Sequence, residues 1–185
     1  MKEQVVISVI GLAGTGKTTL SKFLSEALDF DRIEKDAFRR FIFNNYNYFE
    51  GCMISRPDPR HQVQQRISYS WLQPLVSELL KQRRSVILEG GVTRKVRMEA
   101  NHFCKEQAQG KIKTIGVFLN LPEEVYMPRL LERDSNEGTD WKNRIISLRE
   151  DFEQPLDGDY DHMIVLENSF DNEKVLNKIL KIINA

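Results

Sequence analysis

At 185 residues and 41% hydrophobic side chains, the sequence has the length of one domain and enough apolar material for one sizeable core. Its 27 basic and 27 acidic residues cancel, which excludes a protein that holds polynucleotides or anionic membranes by net charge alone. No apolar run is long enough to cross a bilayer, and Cys52 and Cys104 are far apart without CxxC spacing, so neither a membrane span, a disulfide framework nor a zinc site is expected, and the default address is the cytosol.

In chain order, the β-branched run from Val5 to Ile10 predicts a strand buried on both faces, and a glycine-rich turn follows it directly. From Thr18 to Leu28 the residues Leu20, Phe23, Leu24, Ala27 and Leu28 recur at helical spacing and predict one core-facing stripe. A weaker strand around Arg32 to Glu34 leads into Lys35-Asp36-Ala37-Phe38-Arg39. The segment from Asn44 to Arg60 is irregular, with clustered Asn, Tyr, Gly and two prolines, and reads either as an acceptor loop or as a surface excursion. Tyr69 and Trp71 fall in a helix where core packing is expected.

Further apolar runs at Val86 to Leu88, Ile115 to Leu119 and Met163 to Leu166 alternate with helical segments. The tail from Glu173 to Ile183 reads as a closing amphipathic helix with Val175, Leu176, Ile179, Leu180 and Ile183 inward. Strands alternating with helices predict a three-layer α/β fold around a parallel sheet of about five strands, with residues 1–185 as a single domain.

The turn is Gly11-Leu12-Ala13-Gly14-Thr15-Gly16-Lys17-Thr18, with Thr19 next in the helix. A triphosphate needs inward-facing backbone amides, supplied here from Gly11, Ala13, Gly14, Thr15 and Gly16 into the helix start, and a turn that glycines tolerate. Lys17 brings a cation to the β- and γ-phosphates, Thr18 a hydroxyl to Mg²⁺, and the helix its N-terminal dipole. This arrangement predicts binding of ATP, or another nucleoside triphosphate, with Mg²⁺.

Asp36 and Arg39, one helical turn apart after the second strand, stand where a phosphate acceptor should sit. Asp36 is read as orienting or deprotonating a hydroxyl and Arg39 as holding an anionic group. Glu89 ends the third apolar run before Gly90-Gly91 and is expected beside the phosphates, meeting Mg²⁺ through water. Leu121-Pro122-Glu123-Glu124 opens a helix carrying Arg129 and Arg133, four apart, ahead of a polar stretch. The region from about 129 to 142 is read as a lid whose arginines neutralise the transferring phosphoryl group. Arg97, in the basic cluster around the third strand, is a further candidate for acceptor or nucleic-acid contact.

These features together resemble the P-loop kinases that include the 5′-hydroxyl kinase domain of phage polynucleotide kinase, the zeta-toxin kinases and gluconate kinase. The resemblance implies that Asp36 is the general base or acceptor-orienting residue, Arg39 an acceptor-binding residue, and Arg129 or Arg133 the γ-phosphate clamp. The implied acceptor is a hydroxyl of a small molecule or of a nucleic-acid 5′ end. Two other readings stand beside it: a nucleoside monophosphate kinase, and a nucleotide-gated switch acting on a partner protein.

Overall fold

The computed structural model describes residues 3–45, 60–90, 93–108, 110–137 and 141–185. Most of the irregular acceptor segment, residues 46–59, and residues 138–140 of the lid-like region lie outside them.

Five strands pair in parallel in the order β2-β3-β1-β4-β5: β1 (Gln4–Gly11), β2 (Asp31–Glu34), β3 (Val86–Glu89), β4 (Ile112–Leu119) and β5 (His162–Leu166). The helices between and after them are α1 (Lys17–Leu28), α2 (Lys35–Asn45), α3 (Arg60–Lys81), α4 (Arg94–Gln107), α5 (Glu123–Glu137), α6 (Trp141–Asp151) and α7 (Asn172–Ile183). From β1 the chain passes over β3 to reach β2, whereas from β3 it passes over β1 to reach β4. The two connections diverge, so a crevice opens outside the carboxyl ends of β1 and β3, where ligands of such sheets bind.

The pleat divides the core. Val5, Ile7 and Val9 pack with Leu20 and Leu24 of α1 and Val175 and Ile179 of α7, while Val6 packs with Val76 and Leu80 of α3 and Cys104 of α4. Burial pushes the Cys104 thiol up to about 12, so it is an inert core residue.

Two expectations of burial are corrected. Ala27 is exposed, and Ser21 is fully buried on α1 instead, because that face of the helix covers the end of β3. Trp71 is 58% exposed, because the buried ridge of α3 runs through Gln64, Ser68, Leu72, Val76 and Leu80 at four-residue steps and leaves Trp71 about 100° away.

The start of β5 is locked to β4 by Asp161. Its Oδ2 accepts from the Thr114 backbone N at 2.8 Å and from Thr114 Oγ1 at 2.7 Å, and its Oδ1 from Lys105 Nζ at 3.2 Å. Burial pushes the Asp161 carboxyl up, but the Thr114 hydrogen bonds and Lys105 outweigh it and hold it below its ordinary 3.8. A carboxyl depressed in the folded state stabilises the fold above its ordinary value and loses that contribution as pH falls through the folded value. Asp161→Asn is therefore expected to cost about 1 kcal/mol at neutral pH and to reduce the loss of stability below about pH 4. Urea unfolding at the two pH values measures both.

Candidate active site

In the turn between β1 and α1, nearby chain leaves no room for a side chain at Gly11 or Gly14. Gly14 has φ of 78°, and a Cβ there would lie 2.8 Å from Leu130 Cγ and 2.9 Å from the Tyr126 carbonyl oxygen. Helix α5, anchored by the fully buried Leu130, thus presses directly on the loop. Gly16 caps α1 with φ of 94° and no capping side chain, which leaves the first-turn amides from Lys17 to Thr19 for an anion. Inside the loop, the Leu12 carbonyl accepts from Lys17 Nζ at 2.7 Å and from Thr15 Oγ1 at 2.8 Å. Lys17 is thereby curled over the cradle that a phosphate would fill.

Glu89 ends β3 level with Val9 of β1 and Glu34 of β2. It is 9% exposed, and its carboxylate is paired on both oxygens. Oε1 accepts from Thr18 Oγ1 at 2.5 Å, and Oε2 accepts from Ser21 Oγ at 2.7 Å and Arg32 Nη1 at 2.9 Å. A threonine hydroxyl and a carboxylate oxygen in contact at the mouth of a phosphate loop are the hard oxygen donors that Mg²⁺ prefers, so this pair fits the ion.

Two residues beyond Glu34, Asp36 lies in the first turn of α2 with 51% of its side-chain surface exposed. Desolvation pushes its carboxyl up, but Lys35, Arg39, Lys17 and Arg40 together hold it below its ordinary 3.8. The Asp36 carboxylate therefore lies within the field of the phosphate-loop lysine. Arg39 differs from its expected role: it is 2% exposed and turned inward, with Nη2 3.5 Å from Asp36 Oδ1, so it braces the carboxylate from behind. Tyr69 of α3 stands on the same wall, its hydroxyl 3.4 Å from Lys35 Nζ. Burial, with Asp36 and Glu99, pushes its phenol well above the ordinary value, so it stays a neutral hydrogen-bond donor.

On the opposite rim, Arg129 of α5 donates from Nη1 to the Gly14 carbonyl at 3.4 Å, and Phe170 beyond β5 lies within 3.5 Å of where a Gly16 Cβ would be. A cavity of about 310 Å³ lined in part by Phe170, Asp171, Lys174 and Lys178 opens next to it. Arg133 lies one turn beyond Arg129 in α5, and its side chain is outside the described residues.

A protein-family profile described as an AAA domain, a group of P-loop kinases, matches residues 6–154. The chain belongs to this family. No curated protein matches the sequence. Among solved structures, a protein from Chloroflexus aurantiacus J-10-fl provisionally assigned as a kinase is similar over 100% of this chain and 98% of its own, with TM-score 0.77 and 18% identity. A gluconokinase from Sinorhizobium meliloti 1021 is similar over 99% and 92%, with TM-score 0.57 and 18% identity. Shikimate kinase from Acinetobacter baumannii, in complex with shikimate, is similar over 99% and 94%, with TM-score 0.56 and 20% identity. At these identities the likeness establishes a shared fold.

In this P-loop kinase, Arg97 stands apart from the other candidates. It is 4% exposed, its Nη2 donates to the Glu153 carbonyl at 2.5 Å, and its guanidinium lies 5.7 Å from the centre of the Phe152 ring. The chain after α6 folds back over α4 and encloses it, so the expectation of a contact cation is corrected to a packing residue. Conversely, Ser21, Arg32, Tyr69 and Phe170 take positions at the site that sequence reasoning missed. Ser21 could have been found from its place three residues after Thr18 on one helix face.

Because Gly14 is required both for its positive φ and for the approach of α5, Gly14→Ala is expected to lower ADP affinity at least about tenfold while the helical content persists. Calorimetric titration with ADP, alongside circular dichroism, measures this. Unchanged affinity would contradict a phosphate site that depends on this turn.

Proposed function

We propose that this chain transfers the γ-phosphate of ATP to a hydroxyl group of a small acceptor bound beside Asp36. The observation that carries the reading is an accessible, ionised carboxylate in the field of the phosphate-loop lysine, two residues beyond Glu34, which is level with Glu89 on the neighbouring strand. A nucleotide-gated switch has no use for such a carboxylate facing its phosphates. Arg39 is the cation that the sequence offered for the acceptor phosphate of a nucleoside monophosphate kinase, and its guanidinium is turned away from solvent. Equal numbers of acidic and basic residues favour a small molecule over a polynucleotide end.

The steps assigned to this chain's residues follow from their positions. The backbone amides of the loop and the start of α1 hold the β- and γ-phosphates, and Lys17 leaves the Leu12 carbonyl to meet them. Thr18, and Glu89 through water, would hold Mg²⁺, which when bound neutralises charge on the phosphate oxygens. Phe170 offers a flat face for the base, next to Arg129. Arg129 or Arg133 shields the transferring group from the lid side.

Asp36 accepts a hydrogen bond from the acceptor hydroxyl and aims its oxygen at the γ-phosphorus. With its carboxyl below the ordinary range it is a weak base, so its main service is orientation, and it takes the proton late in a loose transition state. The Lys35 ammonium and Tyr69 hydroxyl supply donors for the rest of the acceptor.

Asp36→Asn is expected to leave the dissociation constant for ATP within about twofold and to lower the transfer rate constant by about a hundredfold or more. ATP titration and single-turnover transfer on the same preparations separate the two effects. A rate near that of the unaltered protein would remove Asp36 from the reaction.

A further inference from the structure

Arg32 has no part in the roles assigned so far, yet it joins both halves of the site. It lies on β2 two residues before Glu34, on the face that covers α1, and reaches diagonally across to Glu89 on β3. Nη1 donates to Glu89 Oε2 at 2.9 Å and to Ser21 Oγ at 3.3 Å, and Nη2 meets Glu34 Oε2 at 3.0 Å. Glu34 Oε1 in turn receives Arg40 Nη2 of α2 at 3.2 Å. The ion pairs thus run unbroken from the carboxylate beside Thr18 to the helix that begins with Lys35 and Asp36.

Exposed ion pairs contribute little, but the side chains of Glu89, Glu34 and Arg32 keep only 6%, 16% and 19% of their surface. A carboxylate so enclosed is costly to leave without its cation. A glutamate also has one more rotatable bond than an aspartate, so aiming one of its oxygens at a fixed point requires that the other be held. Arg32 and Ser21 hold Oε2, and Oε1 is left directed at Thr18.

We propose that Arg32 is a positioning residue that fixes Glu89 for the nucleotide's Mg²⁺ and ties that carboxylate, through Glu34 and Arg40, to the acceptor helix α2. The assignment rests on the reading of Thr18 and Glu89 as the pair that meets the ion.

The test is calorimetric titration with ADP, in EDTA and in Mg²⁺, of the unaltered protein, Arg32→Gln, Arg32→Lys, Glu89→Gln and the Arg32→Gln/Glu89→Gln double variant. Arg32→Gln is expected to keep ADP affinity in EDTA within about twofold, since the loop amides and Lys17 are untouched, and to lose at least about fivefold of the affinity gained on adding Mg²⁺. In the Glu89→Gln background the same change should have no further effect on that gain. Arg32→Lys retains a cation in place but reaches one carboxylate at a time, so it should keep part of the gain, and it serves as the test should the Gln variant not fold.

A gain from Mg²⁺ that is unchanged or larger in both Arg32 variants would overturn the proposal. So would an equal loss in EDTA and in Mg²⁺, or a further loss of the gain in the Glu89→Gln background. If the unaltered protein itself gained no affinity from Mg²⁺, the reading of Thr18 and Glu89 would fail first, and this assignment with it.

Discussion

A charged carboxylate enclosed at the end of a central strand must be paired, and the pairing of Glu89 organises the carboxyl edge of this sheet. Thr18 and Ser21 bring the first turns of α1 to β3, and Arg32 brings β2 to the same point. Because α1 begins at the residue after Gly16, fixing its first turns also fixes the exit of the phosphate loop. The other side of the loop is set by contact of α5 with Gly14, where bulk is excluded. One polar junction and one steric contact therefore hold the loop from opposite sides, and the rest of the fold carries these two supports.

The same arrangement separates the work of the two carboxylates. Glu89 is enclosed and held by fixed partners, which suits a group that must not move when the phosphates arrive. Asp36 remains accessible and ionised among cations, which suits a group that must meet an incoming hydroxyl. Their environments differ because Glu89 ends an inner strand beneath α1, whereas Asp36 lies in the first turn of a helix that follows the edge strand of the sheet.

Much of this was legible in the sequence where the controlling interactions are local. Glycines at fixed spacing between an apolar run and a helical stripe mark the phosphate turn, because strand, turn and helix follow one another directly. Alternating apolar runs give the parallel sheet, and the glutamate at the end of one run is found beside Thr18. Features that depend on register or on distant segments were not legible. Arg32 reaches Glu89 only because β2 pairs β3 with Glu34 opposite Glu89, and a strand of four residues shows too little alternation to reveal it. Arg39 and Arg97 read as contact cations because each follows closely on the end of a strand, where ligands of such sheets bind, yet one is enclosed behind Asp36 and the other under the segment around Phe152 and Glu153. Tyr69 and Phe170 enter from helix α3 and from the chain beyond β5, which no local pattern connects to the loop.

The account stands most directly on phosphate transfer itself. Label from the γ-position of ATP, with Mg²⁺, would be followed onto a panel of sugars and sugar acids, nucleosides, 5′-hydroxyl oligonucleotides and nucleoside monophosphates, with Lys17→Ala as control. Label on a small hydroxyl acceptor, absent in the Lys17→Ala variant, is the predicted result. Binding of ATP with only slow hydrolysis and no labelled acceptor, or label confined to the phosphates of nucleoside monophosphates, would contradict it.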